Sequence, residues 1–239
     1  MKRKLIFRFT SICLIICLLG FTFYVNDYYH ADMKQIEAYQ VSENIKVYEE
    51  DGNYIFEPEQ IHAGFIFYPG GKVEEEAYIP MLKELATQDI LCILVKMPLR
   101  LAVLDINAAN TFVNEFSQID TWYIGGHSLG GAMASSYIAK QDNFKGLVLL
   151  GAYSTADLSQ TDLHVLSIYG SEDQVMNKEK YQSNLSNLPS DYKEVIIDGG
   201  CHAYFGMYGK QDGDVNPTIS NKEQIQQTAI AICSMIKGN

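Results

Sequence analysis

The chain has 239 residues, of which 47% are apolar and 20% charged, so it can bury a core and is not a disordered, collagen-like or disulfide-scaffold protein. Four cations and no acids lie in residues 1–25, so the rest of the chain carries a formal charge of −15, against −11 for the whole chain. An acidic body without a basic stripe argues against nucleic acid as a partner.

The first 25 residues form an apolar segment behind a basic start. Residues 9–25 carry no charge, and as a helix they span about 25 Å, slightly less than a hydrocarbon core of about 30 Å. Residues 5–7 close this gap if Arg8 reaches the headgroups. A cleavable signal peptide needs small residues just after the apolar run, and residues 26–30 offer none before Ala31. We therefore predict an uncleaved signal anchor, with a secreted, cleaved protein as the alternative.

The charge around this segment predicts its orientation. All of its cations precede or begin the apolar run, so the positive-inside rule places the N-terminus in the cytoplasm and the body outside the membrane. We expect a stalk over residues 26–44 and one catalytic domain over residues 45–239.

Apolar runs alternate with amphipathic stretches after residue 45, which predicts an α/β domain. The predicted strands are 45–48, 54–56, 64–68, 90–96, 122–125, 147–150, 165–169 and 194–197. The predicted helices are 75–88, 102–116, 129–140, 178–188 and 224–236. Continuous apolar runs such as 91–95 indicate strands buried on both faces, as in a mostly parallel, doubly wound sheet. The turn at 50–53 predicts an antiparallel leading edge.

One motif predicts nucleophilic chemistry. Gly126-His127-Ser128-Leu129-Gly130 lies between a predicted strand and a predicted helix. Gly-x-Ser-x-Gly in that context is the nucleophile elbow, in which a strained turn projects the serine hydroxyl from the top of the sheet. The backbone N–H of Leu129 then points at the developing oxyanion. We predict Ser128 as a catalytic nucleophile.

A serine nucleophile needs a base and an acid that orients it, in the chain order Ser, acid, His. Of five histidines, only His202 follows the last predicted strand in a loop. For the acid we predict Asp173, which ends the strand 165–169, over its neighbour Glu172. A second oxyanion N–H is expected from the Gly-Gly turn after the third strand, where the spacing does not choose between Gly71 and Lys72.

The runs 68–73, 95–99, 126–131 and 169–173 together resemble the α/β-hydrolase superfamily. Within it, residues 199–206 and 217–220 are similar to the histidine loop of the bacterial, dienelactone-hydrolase-like branch of small hydrolases, with Cys201 where an asparagine is usual. The resemblance covers residues 45–237. It implies hydrolysis of an ester or related acyl bond through an acyl-enzyme intermediate, without a cofactor.

The interval 151–164 holds mostly small and polar residues, too few and too polar for a helical cap. We expect an open site bounded by Met97, Tyr153, Tyr204 and Phe205, and a preference for small-molecule esters with short acyl groups. The three cysteines outside the anchor lack C-x-x-C spacing, so no metal site is predicted. Two other functions remain open, an acyltransferase with the same triad and a non-catalytic binding or scaffold protein. The oligomeric state is not predicted.

Overall fold

A single sheet organises the computed structural model, which describes residues 2–41 and 44–238, and side chains from residue 9 onward within those ranges. In these residues the strands are β1 (Ile45–Glu50), β2 (Asn53–Pro58), β3 (Ala63–Tyr68), β4 (Ile90–Leu94), β5 (Trp122–His127), β6 (Phe144–Leu150), β7 (His164–Gly170) and β8 (Lys193–Ile197). Their order in the sheet is β1-β2-β4-β3-β5-β6-β7-β8. Pairing is antiparallel from β1 through β2 to β4 and parallel across the rest. The predicted α/β class and the antiparallel leading edge are confirmed.

Helices cover both faces of this sheet. The described helices are α1 (Lys2–Asn26), α2 (Met33–Ala38), α3 (Ile79–Ala86), α4 (Ala109–Glu115), α5 (Leu129–Ile138), α6 (Lys178–Asn184) and α7 (Asn221–Lys237). One buried cluster includes α3 and α7 and the other includes α4 and α5. The central strands β3 and β4 are buried along their whole length because apolar side chains face helices on both sides.

The predicted helix over residues 102–116 is wrong in its first half. A single turn at Ala102–Leu104 is separated from α4 by an irregular segment. The Tyr68 hydroxyl donates to the Ile106 carbonyl at 2.8 Å and accepts from the Ala109 N–H at 3.0 Å. A side chain from the end of β3 thus satisfies backbone groups that a continuous helix would have paired internally.

Part of the segment predicted as a stalk lies against the domain. Ile36 and Tyr39 are buried in the core cluster with α3 and α7. Tyr29 forms a parallel bridge with Val73. The described chain between residues 29 and 39 is therefore packed on the domain, although its charge and polarity predict a solvated connection.

Candidate active site

Six parallel strands end at one edge of the sheet, and the loops that follow them form the candidate site. Ser128 follows β5, Asp173 lies three residues after β7 and His202 lies five residues after β8. The glycine loop, residues 69–73, follows β3 at the same edge. Catalytic and binding groups gather at the carboxyl edge of open parallel sheets because the strand ends meet there.

Ser128 lies in the turn between β5 and α5. Its φ of 51° and ψ of −118° fall outside the regions that L residues favour. A Cβ on Gly126 would lie 2.5 Å from the carbonyl carbon of Gly130, and a Cβ on Gly130 would lie 2.2 Å from the Tyr68 carbonyl oxygen. Both positions require glycine, and this backbone crowding is the physical reason for the Gly-x-Ser-x-Gly spacing.

A carboxylate and an imidazole from two different loops meet in the interior. Asp173 Oδ2 and His202 Nδ1 are 2.8 Å apart, and both side chains are buried. The other carboxylate oxygen, Oδ1, accepts from the backbone N–H groups of Val175 and Met176 at 2.9 and 2.8 Å. These bonds orient the carboxylate, and the carboxylate orients the ring so that Nε2 is the nitrogen left for proton transfer.

His202 sits beside the serine turn. Its ring centroid is 4.5 Å from that of His127, and a Cβ on Gly151 would lie 2.9 Å from His202 Nδ1. The Ser128 N–H donates to the Leu150 carbonyl at 2.9 Å, so residues 128 and 151 adjoin. His202 Nε2 is buried and has no hydrogen-bond partner among the described residues. A buried, unpaired ring nitrogen in a loop beside the serine turn is suited to act as a base, and catalytic hydrogen bonds often form fully only when substrate binds.

Two of the residues predicted to supply oxyanion donors are in contact. A Cβ on Gly71 would lie 2.9 Å from Leu129 Cδ2, so the glycine loop packs on the first residue of α5. Leu129 is the first residue of α5, so its N–H lies at a helix N-terminus, where the dipole favours negative charge. By contrast, the Lys72 N–H donates to the Arg100 carbonyl at 2.9 Å. That amide is already paired, which leaves Gly71 as the second candidate donor.

His127, inside the elbow motif, connects the glycine loop to His202. The Tyr78 hydroxyl accepts from the Gly70 N–H at 3.1 Å and lies 2.8 Å from His127 Nδ1. Burial, followed by the neighbouring His202, holds the pKa of His127 well below its ordinary value. His127 is therefore a neutral, buried link in this network.

The predicted substrate-binding residues differ in exposure. Met97 and Phe205 are buried in the core, and the Phe205 ring lies 5.5 Å from His127. Tyr153 and Tyr204 are half-buried and remain the candidates that a ligand could contact.

Asp214 connects the loop that carries Asp173 to the loop that carries His202, and it was not predicted from the sequence. Its Oδ1 accepts from the Gln174 N–H at 3.3 Å, and its Oδ2 accepts from the Ala203 N–H at 3.0 Å. These donors directly follow Asp173 and His202 in the chain, and Asp214 is buried. The sequence contains no signal for this role, because Asp214 is one of two aspartates in a long polar loop.

Gln224 of α7 holds the histidine loop from the other side. Its Oε1 accepts from the Cys201 N–H at 3.0 Å, and its Nε2 donates to the Cys201 carbonyl at 2.8 Å. The side chain is fully buried. A weak signal was present, because Gln224 shares a helix face with the buried residues Thr228 and Ile232.

No metal-binding constellation accompanies these residues. Within the part of the chain that the structure describes, no group of three or more histidine, cysteine or carboxylate side chains is arranged to hold a metal ion.

Comparison with known proteins identifies the family and the fold. Residues 64–226 match the model of the alpha/beta hydrolase family. The chain is similar to an alpha/beta hydrolase enzyme from the metagenome of lagoon sediments of Mar Chica, Morocco, at 14% identity and a TM-score of 0.61, over 81% of this chain and 98% of the other. It is also similar to the esterase domain of a Rhodothermus marinus protein, at 14% identity and a TM-score of 0.59, over 80% and 97%.

A third similar structure is Est1E from Butyrivibrio proteoclasticus, at 14% identity and a TM-score of 0.56, over 82% of this chain and 100% of the other. Identities this low show a common fold and no more. No curated protein matches the chain. The dienelactone-hydrolase-like branch stays a prediction.

Proposed function

The chain belongs to the alpha/beta hydrolase family, and from this premise we propose that it is a serine hydrolase that cleaves a small ester or related acyl bond. One observation carries the proposal: the buried Asp173–His202 pair, 2.8 Å apart, lies beside the strained turn that holds Ser128. The esterase named among the similar structures supports an ester as the substrate class.

In the proposed reaction, Ser128 Oγ attacks the carbonyl carbon while His202 Nε2 takes the hydroxyl proton. The imidazolium then gives that proton to the leaving alkoxide, and the acyl group stays on the serine as an ester. Water repeats the sequence, which releases the acid and restores the serine. Asp173 keeps the Nδ1 proton in place and stabilises the imidazolium.

The tetrahedral intermediates carry a negative oxygen that needs donors. We assign the N–H groups of Leu129 and Gly71 to this role, supported by the contact between these two residues and by the pairing of the Lys72 amide with Arg100. Removal of one such donor typically costs about 3 kcal/mol of transition-state stabilisation.

Labelling with a fluorophosphonate probe tests the proposal. We expect the wild-type chain to be labelled and Ser128→Ala to lose both labelling and hydrolysis of 4-nitrophenyl acetate, by roughly a factor of 10⁴ or more. Ser183→Ala, which changes an exposed serine on α6, is the matched control and should keep both activities. Equal labelling of Ser128→Ala and the wild-type chain would refute the proposed nucleophile.

A further inference from the structure

Helix α1 meets the domain at the edge that carries the candidate site. The stretch Phe9–Asn26 is long and apolar enough to cross a membrane, and none of it is buried in the structure. At its end, Asp27 Oδ2 lies 2.8 Å from Lys72 Nζ, which is also 4.6 Å from the centroid of the Tyr24 ring. Lys72 directly follows Gly71, so the end of the helix contacts the residue next to a proposed oxyanion donor.

The chain stays on this edge after the helix ends. The Tyr29 N–H donates to the Lys72 carbonyl at 2.8 Å, and the Tyr29 carbonyl accepts from the Glu74 N–H at 2.9 Å. The Arg100 guanidinium lies 3.5 Å from the centroid of the Tyr28 ring. Three residues extend at most about 10 Å, so Tyr29, which pairs with the glycine loop, lies within that distance of the end of the helix. An inserted α1 would therefore hold the candidate site at the membrane surface.

The loop after β4 presents an apolar rim, which we define as Leu99, Val103 and Leu104. These side chains are 42%, 50% and 54% exposed, whereas the other exposed large apolar side chains after α1 lie singly along the described chain: Met33, Val47, Ile61, Ile196, Val215 and Ile230. The rim flanks Arg100, whose carbonyl accepts a hydrogen bond from the Lys72 N–H. The turn Ala102–Leu104 packs on α5. Apolar side chains next to cations and tyrosines are typical of surfaces in the interface of a bilayer.

We propose that the apolar rim lies in the headgroup region of the membrane that holds α1, and that the site takes its ester from that membrane. The inference rests on the proposed function for its second part. Residues 151–163, between β6 and β7, contain no helix or strand that could roof the site. A long acyl chain would therefore stay in the bilayer while its ester bond reaches Ser128, and water-soluble substrates would have short acyl groups.

The position of the rim can be measured without any activity. In the full chain with Cys13, Cys17 and Cys233 changed to serine, Leu104→Cys and the control Ile230→Cys each receive a polarity-sensitive nitrobenzoxadiazole label. Ile230 is 70% exposed on α7, away from the site edge. In phosphatidylcholine vesicles we expect the label at 104 to shift to the blue and to be quenched by nitroxide lipids. The label at 230 should be quenched only by aqueous quenchers. Identical behaviour of the two labels would overturn the membrane face.

The source of the substrate is tested with two esters. Leu104→Asp should lower the hydrolysis of 4-nitrophenyl palmitate dissolved in the same vesicles about tenfold, because a charge weakens contact with the interface. Its hydrolysis of soluble 4-nitrophenyl acetate should stay within about twofold of wild type. Ile230→Asp should change neither rate. Equal loss on both esters, or no loss on the vesicle ester, would overturn uptake from the membrane.

Failure of the proposed function is distinguishable from failure of this inference. A wild-type chain that hydrolyses neither ester would refute the hydrolase and the uptake of an ester from the membrane. The quenching of the label at 104 would still support or overturn the position of the rim.

Discussion

At the scale of single residues, Asp173 and Glu172 are neighbours in the chain but differ in what they contact. Asp173 reaches His202, whereas Glu172 accepts from the Ser171 hydroxyl at 3.3 Å. We expect Asp173→Asn to lower kcat on 4-nitrophenyl acetate by roughly 10⁴, because the amide would favour the wrong imidazole tautomer. Glu172→Gln should stay within about twofold of wild type. A larger loss in Glu172→Gln would contradict the assignment of the acid.

Asp214 acts through its neighbours and offers a second test. Each oxygen accepts from a backbone N–H, so an asparagine in either orientation would set its NH₂ group against one of those donors. We expect Asp214→Asn to lower kcat about tenfold while KM for 4-nitrophenyl acetate stays within about twofold, since the displaced groups are Asp173 and His202. Asp212→Asn, an exposed change in the same loop, is the control. A rise in KM with unchanged kcat would contradict a role in positioning the pair.

The burial of His127 should make the free energy of unfolding depend on pH. Burial holds its pKa well below the ordinary value in the folded state, so below about pH 6.5 the unfolded chain binds a proton that the folded chain does not. Above that pH the protonation of His127 does not change the free energy of unfolding. As the pH falls below it, the free energy of unfolding decreases by at most about 1.4 kcal/mol per pH unit.

Denaturant unfolding between pH 8 and pH 5 measures the effect. His127→Gln should be less stable than wild type at pH 8 but should lose less stability on acidification. His62→Gln, which changes an exposed histidine, should keep the wild-type slope. If the free energy of unfolding changed with pH equally in His127→Gln and in wild type, His127 would not be the cause of this pH dependence.

At the scale of elements, helix α7 supports the histidine loop as well as the core. Gln224→Leu would leave the N–H and carbonyl of Cys201 buried without partners, at about 1–3 kcal/mol for each group. We expect a fall of about 2–4 kcal/mol in the free energy of unfolding and a lower kcat. Gln227→Leu, on the exposed face of the same helix, should leave both nearly unchanged. A fully stable and active Gln224→Leu chain would contradict this role of α7.

At the scale of the whole molecule, the segment after α1 is built into the domain. Cleavage near Ala31 would remove the bridge between Tyr29 and Val73 and the contact of Tyr28 with Arg100. We therefore expect the mature protein to keep this segment and to fractionate with membranes. Mass spectrometry of its N-terminal peptide tests this, and a mature chain that begins near residue 32 would contradict it. Protease added to intact cells should degrade the domain if the predicted orientation is right.

The sequence alone determined the fold class and named the candidate catalytic residues. Continuous apolar runs indicate buried parallel strands whatever their partners, and the glycines around Ser128 indicate a crowded turn. Chain order together with a position after a predicted strand made His202 and Asp173 the predicted partners of Ser128, because strand ends in this fold meet at one edge.

Only the tertiary structure decided how these residues are supported. Gly71 and Lys72 are equivalent by spacing, and the difference between them comes from Arg100, 28 residues after Lys72 in the chain, whose carbonyl pairs with the Lys72 amide. The roles of Asp214, Gln224 and the docked segment around Tyr29 likewise depend on hydrogen bonds between segments that are separated in sequence. Such bonds have no periodicity to detect, because they exist only after the packed sheet has brought the loops together.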